Sequence, residues 1–195
     1  MPDELAQRKV SYIRMEDGTK DDYMFLKEAH APYVAEFPAR ALQYLDTLYD
    51  GFPGEQVTRY EHSLQSATRA HRDGQDEEMV VAALFHDIGD QIAPANHAEF
   101  AAAVLKPYVS ANTHWMIEKH GIFQGYYYYH HYGMDRNTRD QFRGHPAYQM
   151  TVDFCHKYDQ TAFDPTYDTM PLEAFTPMVH RILGRPAWGE HTEGG

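Results

Sequence analysis

Apolar residues recur at helical spacing through most of this chain, and no segment alternates cleanly at the period of two that a half-buried strand requires. Phe37, Leu42, Tyr44, Leu45 and Leu48 predict a helix from Phe37 to Tyr49, ended by Gly51-Phe52-Pro53-Gly54. A second helix is predicted from Glu61 to Arg72, stopped by Asp73-Gly74. A third runs from Asp76 to about His86 with Met79, Val80, Ala83 and Leu84 inward, ending at Ile88-Gly89. Asn96 opens a fourth: with Glu99 three positions later it makes an asparagine variant of the capping box. A fifth spans Asn112 to His120, closed by Gly121. The last extends from Pro146 to about Tyr158, with proline in the first turn, where its missing N–H costs little. The expected fold class is all-α, a compact helix bundle. No repeat or Pro/Gly-rich linker divides the chain. The polar ends suggest a single domain over residues 21–186, flanked by flexible segments at 1–20 and 187–195.

Composition narrows what such a bundle does. At 195 residues the chain can bury a full core without disulfide or metal staples. It carries 17 Lys+Arg against 29 Asp+Glu, a formal charge of −12, with no basic run for a nucleic acid or an anionic membrane to meet. Its longest strongly apolar stretch, Met79 to Phe85, is too short to span a bilayer. MPDELAQRKV lacks the apolar core of a signal peptide, and Cys155 is a lone cysteine, so a reducing cytoplasm is the expected location. Two counts are high: 13 histidines, and an aromatic set of 15 Tyr, 10 Phe and 2 Trp.

The histidines fall at informative places. His86 and Asp87 stand together at the end of an apolar helix, in Ala82-Ala83-Leu84-Phe85-His86-Asp87-Ile88-Gly89-Asp90. Imidazole offers one nitrogen lone pair, whereas a carboxylate has two oxygens and can bridge two metals. A lone His-Asp pair is weak, because helix ends favour His and loops favour Asp. Here His62 lies on the preceding predicted helix, His97 starts the next one, His120 ends the one after, and Asp159 closes the last. Consecutive helices thus each bring one or two ligand-type residues near their termini, as a metal site in a bundle core does.

His62, the His86-Asp87 pair and Asp159 resemble the H…HD…D signature of the HD-domain superfamily, and His97 and His120 resemble the two further histidines of its dinuclear members. The likeness extends from about Gly51 to Phe163. Within that superfamily the phrases Glu61 to Ala67 and Ala82 to Gly89 are similar to the mixed-valent di-iron oxygenases that cleave phosphonates, although most dinuclear members are phosphohydrolases. The resemblance implies one iron held by His62, His86, Asp87 and Asp159. A second would be held by His97, His120 and the bridging Asp87, with O2 as co-substrate of the Fe(II)/Fe(III) pair. It also implies a catalytic role for Asp87 and for Glu55, which matches a loop glutamate over the iron. The tyrosine that accompanies that glutamate in the family is Phe52 here, which cannot ligate. Nitrogen and oxygen ligands suit manganese as well as iron, so the metal is implied by resemblance alone.

Three of the family's phosphonate contacts are changed together: Asp90, Gln124 and His156 stand where the family has histidine, lysine and arginine. A phosphonate here would be met by the irons, His156, and Lys157, Arg139 or Arg143. The run Gly125-Tyr126-Tyr127-Tyr128-Tyr129-His130-His131-Tyr132 bears on the opposite end of a substrate, since a quaternary ammonium is best held by aromatic faces, with a carboxylate such as Asp90 or Glu55 nearby. Tyrosine runs also pack half-buried on ordinary surfaces. The chain is most similar to the glycine-betaine-forming branch. That similarity implies oxidative C–P cleavage of a small organophosphonate bearing a trimethylammonium group, supplied by a 2-oxoglutarate-dependent hydroxylase. A phosphohydrolase, an oxygenase for 2-amino-1-hydroxyethylphosphonate, and a metal-bound sensor remain alternatives. His30, His71, His114 and His191 read as solvated. His180 reads as a helix-end residue, and Cys155 as packed. His130, His131 and His145 stand near the tyrosine run as possible partners of the ligands.

Overall fold

The computed structural model describes residues 8–192, and the expectations of flexibility at residues 1–7 and 193–195 lie outside it. Eight α-helices make up the described chain: α1 Lys20–Ala35, α2 Phe37–Leu45, α3 Arg59–Arg72, α4 Glu77–Phe85, α5 His97–Leu105, α6 Ala111–Tyr128, α7 Tyr148–Phe154 and α8 Leu172–Leu183. No strand occurs among the described residues, so the class is all-α. No described helix is long and apolar enough to cross a membrane.

Helix α4 is the axis of the bundle. All seven residues from Met79 to Phe85 are buried, which is why the apolar run shows no polar face. It packs against α3, α6 and α8; α5 packs along α6, and α2 against α8. Helix α3 is buried on more than its apolar side. Thr68 returns its hydroxyl to the Leu64 carbonyl at 2.7 Å, and Gln65 donates to the Asp164 carbonyl at 2.8 Å, so the segment after Asp159 covers it without leaving these polar groups unpaired. Glu78 ties three elements together, accepting from the Ser110 N–H at 2.8 Å and from Arg185 at 2.6 Å.

Four helices start on true side-chain caps, at Thr19, Thr58, Asp76 and Ser110. The predicted cap at Asn96 is not made. Its backbone (φ −146°, ψ 36°) lacks the extended geometry of the other four, whose ψ lies between 158° and 165°, and its side chain bonds no helix N–H. The predicted stop at Gly121 is also absent, since α6 continues to Tyr128. Helix α7 runs on as a π turn, Cys155–Asp159, closed by the Gln160 N–H to the Cys155 carbonyl at 3.0 Å. Helices α1 and α8 each hold an internal proline (Pro32, Pro177); α1 falls where the apolar pattern predicted no helix, and of α8 only an end at His180 was expected. Beyond Pro186 the chain stays against the bundle: the Trp188 N–H and a ring nitrogen of His191 both reach the Pro107 carbonyl, at 2.9 and 3.1 Å.

Candidate metal centre

The centre is assembled from the ends of helices. A capping box fixes the start of α3: Thr58 accepts from the Glu61 N–H at 3.1 Å, and the Glu61 carboxylate accepts from the Thr58 N–H at 2.8 Å. That places His62 in the first turn, facing inward. His86 is the C-cap of α4 and Asp87 follows it; His97 is the first residue of α5; His120 lies within α6; Asp159 ends the π turn. His62, His86, Asp87, His120 and Asp159 are all buried, whereas the His97 side chain is 28 % exposed.

Three of the imidazoles are oriented in the same way. Nδ1 of His62, His86 and His120 faces the carbonyl of Ala162, Ala83 and Ile117 at 3.1, 2.7 and 2.7 Å. A carbonyl only accepts, so each Nδ1 carries the hydrogen, and in the neutral ring Nε2 is left as a lone pair. Nε2 of His62 then points at Nε2 of His86 across 3.1 Å, and at Asp159 Oδ1 across 3.3 Å. Two lone pairs do not approach so closely unless a cation or proton lies between them.

Asp87 joins two halves. Its Oδ2 faces His62 (3.4 Å) and His86 (3.5 Å), and its Oδ1 faces His120 (3.3 Å) and His97 (3.5 Å). Ligands about 2.1 Å from one ion stand roughly 3.0–3.4 Å apart, close to the spacings found here. His62, His86 and Asp159 form one group able to hold a cation, His86, Asp87 and His120 a second, and Asp87, Asp90 and His97 a third. The buried Asp159 Oδ2 has no partner, and a metal would satisfy it. The chemistry of the donor set and its spacing therefore fit a pair of metal ions.

The local field demands positive charge. Burial opposes charge on His86, yet the Asp87 and Asp159 carboxylates hold its pKa up to about 9. Burial likewise opposes ionisation of Asp87, but His86, His120 and His62 bring its carboxyl well below the usual range. Asp90 goes the other way: burial and the Asp87 charge raise it, against Arg59 and His97. Aromatic walls keep the inner half dry, with Phe163 stacked 4.4 Å from the His62 ring and Phe154 edge-on to His86 at 5.5 Å.

The remaining candidates are scattered. Asp90 reaches the centre, its Oδ1 3.4 Å from His97 Nδ1. Glu55 stands at the rim, 3.3 Å from Arg59. Phe52 is 77 % exposed. Gln124, one turn beyond His120, has a buried side-chain oxygen without a partner. Tyr126 is covered by the chain's own cations: Arg136 and Arg139 lie over its ring at 4.1 and 3.8 Å from the centroid. Arg143 pairs with Asp140 at 2.8 Å, Lys157 with Asp73 at 3.3 Å, and the exposed His156 meets the Tyr127 hydroxyl at 3.2 Å, so these three are engaged outside the histidine cluster. His145 stacks on Trp115 at 3.9 Å, and His130 and His131 are exposed against each other, so none of the three supports a ligand. His114 and His191 are half-buried rather than solvated. Cys155 is buried, with its thiol held by the His120 carbonyl at 3.6 Å.

Arg59 is the residue that the sequence reading passed over. Its Nε lies 2.9 Å from Asp90 Oδ2, its Nη1 3.5 Å from Asp87 Oδ2 and its Nη2 3.3 Å from Glu55 Oε1. With the helix start placed at Glu61, Arg59 looked like a loop residue. It is in fact the first helical residue, where the helix dipole disfavours a cation, and that unfavourable position was the available signal.

The HD domain matches residues 59–151, a span that includes His62, His86, Asp87, His97 and His120 and ends before Asp159. A segment is also 42% identical over 66 residues to the [1-hydroxy-2-(trimethylamino)ethyl]phosphonate dioxygenase (glycine-betaine-forming) of Leisingera caerulea, covering 28% of this chain and 34% of that protein. The chain thus spans about a third of the length of the curated relative it matches.

Proposed function

We propose, for a chain that contains an HD domain with a buried histidine–aspartate cluster, that it is a metal-dependent oxygenase cleaving the C–P bond of a 1-hydroxyphosphonate. Its substrate is [1-hydroxy-2-(trimethylamino)ethyl]phosphonate, converted with O2 to glycine betaine and phosphate; the similarity to the Leisingera protein supports this choice. One O2 supplies both oxygens that the products gain, so no external reductant is needed. The observation that carries the reading is the division of Asp87 between two sets of imidazoles, the arrangement of a carboxylate bridging two cations.

His62, His86, Asp87 and Asp159 would hold one iron, and Asp87, His97 and His120 the other. When bound, such a pair supplies O2 activation and a positively charged template for substrate oxygens. The protein contributes orientation and exclusion. Backbone carbonyls fix three imidazoles before any ligand arrives, and Asp87 fixes the spacing of the two halves. Phe154 and Phe163 keep water from the inner half. Substrate enters where exposure rises, along the rim of Glu55, Arg59, Asp90 and His97, with Glu55 beside the reacting group. Within the tyrosine run Tyr126 is occupied by two arginines, whereas Tyr128 and Tyr129 line a cavity beside His97 and are the rings left to meet the ammonium. The C1 hydroxyl would be installed upstream by a hydroxylase.

Incubating iron-loaded protein with the trimethylamino substrate, with and without O2, tests this. Glycine betaine and phosphate should appear in equal amounts and only with O2. Equal phosphate release under nitrogen, or turnover of a phosphate ester with manganese, would make the chain a phosphohydrolase.

A further inference from the structure

We propose that Arg59 is the residue that recognises the anionic group of the substrate, binding a phosphoryl or phosphonyl oxyanion beside the metal pair. The proposal deepens the reading above and rests on its metal centre, though not on its oxygen chemistry.

Among the described residues, Arg59 is the one lysine or arginine paired with a carboxylate of the centre. Other cations near that end of the bundle are engaged elsewhere: Lys119 with Glu118, Arg136 and Arg139 on Tyr126, Arg143 with Asp140, Lys157 with Asp73. Arg59 meets three different carboxylates through three different nitrogens. These are ion-pair distances and not aligned hydrogen bonds, and the buried Nε has no hydrogen-bond partner, so the guanidinium has N–H donors left for a bidentate contact to an oxyanion.

Its position suits a ligand contact better than a buried structural role. The Arg59 side chain is 20 % exposed, between Asp87 at 6 % and Glu55 at 31 %, on the boundary between the dry centre and the rim. Asp90 and Glu55 hold the guanidinium from two sides and limit its rotamers, so little ordering is left for binding to impose.

Charge points the same way. The four carboxylates of Asp87, Asp159, Asp90 and Glu55 would balance two divalent cations and fall one charge short of an Fe(II)/Fe(III) pair. In either case Arg59 adds a further positive charge to the filled centre, which favours an anion. In a chain of net charge −12, that local surplus is needed to draw an anion in.

The test uses Arg59→Gln and Arg59→Lys in the full, metal-loaded chain, with metal content read by elemental analysis and inorganic phosphate affinity by calorimetry. Both variants should keep the metal content of the unchanged protein. Arg59→Gln should bind phosphate about 10- to 100-fold more weakly, as expected for losing charged hydrogen bonds, and Arg59→Lys should recover part of the loss. KM for substrate should rise more than kcat falls. Unchanged phosphate affinity in Arg59→Gln overturns the assignment. So does loss of metal from both variants, which would make Arg59 a brace for the carboxylates. An unchanged protein that binds metal but no phosphate overturns it too, and one that binds no metal overturns the centre itself. Phosphate release without O2 would sink the oxygenase reading yet leave these binding results intact.

Discussion

Gly89→Ala should separate the two halves of the centre. A Cβ at Gly89 would lie 2.6 Å from the His97 carbonyl oxygen and 2.7 Å from its Cα, where ordinary contact begins near 3.4 Å. Both are backbone atoms, so no rotamer change relieves the clash, and the start of α5 must withdraw by about 0.8 Å. Metal–ligand distances hold to within about 0.2 Å, so a shift of that size takes His97 out of reach of an ion shared with Asp87. His62, His86 and Asp159 are held from the other side of Asp87, by the carbonyls of Ala162 and Ala83 and by the π turn, and should be spared. The variant should fold with a loss of about 1–3 kcal/mol, retain one metal per chain instead of two, and lose at least about 100-fold in turnover. Gly121→Ala is the matched control. It neighbours His120 inside α6, but a Cβ there meets nothing within 4 Å. It should keep both metals and gain about 0.5–1 kcal/mol in helix stability. Elemental analysis after dialysis and urea unfolding read both quantities. A Gly89→Ala protein with two metals and full turnover would refute the reasoning.

Metal affinity should depend on pH through His86, whose pKa is held up to about 9. Below that value a proton must leave before a metal binds. Affinity should therefore climb by up to about tenfold per pH unit from 7 to 9 and then level off, and a flat calorimetric profile would contradict this. The same raised pKa stabilises the metal-free fold fully below the ordinary imidazole value of 6.5, and this contribution is lost as pH rises through 9; denaturant midpoints of metal-free protein should fall across that window. Thr58→Ala removes one side of the capping box at the start of α3 and should cost about 1 kcal/mol in urea unfolding, with no change if the helix starts on packing alone. Tyr126→Leu removes two cation–π contacts and should cost about 1–2 kcal/mol while leaving KM for the trimethylamino substrate unchanged; a tenfold rise in KM at unchanged phosphate affinity would restore the aromatic cage.

The helices legible in the sequence were those whose pattern and punctuation agree. Helix α4 is so uniformly apolar that only an axial position accommodates it, and the His-Asp pair at its end follows directly. Where the two signals disagree, packing wins. Gly121 marks a stop by composition, but its side faces open space, and Phe123, fully buried, carries the inward face of α6 past it; a glycine costing about 1 kcal/mol does not offset a buried ring. Phe175, Val179, Ile182 and Leu183 form a clear buried stripe in α8, hidden in the sequence by Pro177 within it. Helix α1 was hidden differently. Tyr23, Met24, Leu26, Tyr33 and Val34 are exposed, so its apolar residues surround the helix instead of marking one face. Arg59 was lost to a boundary error of two residues, enough to turn a helix N-terminal cation into an unremarked loop residue.

The two compositional excesses separate for a physical reason. A histidine has one useful lone pair and a fixed ring, so its place at a helix end nearly fixes what it can face; His62, His86, His97 and His120 all turn toward Asp87. A tyrosine offers two broad faces and accepts any cation, including those of its own chain. Arg40 lies over Tyr33, Arg69 and Arg72 over Tyr167, and Arg136 and Arg139 over Tyr126. Five arginines are thereby drawn onto tyrosine rings, while Arg59, 5.9 Å from the Phe163 ring centroid, is held chiefly by carboxylates at the mouth of the centre. A run of tyrosines is thus as consistent with holding the chain's own cations as with holding a substrate's. On the proposed reading, discrimination at this centre is set first by the anionic end of the ligand, where metals and Arg59 act together and Glu55 and Asp90 hold the guanidinium in place.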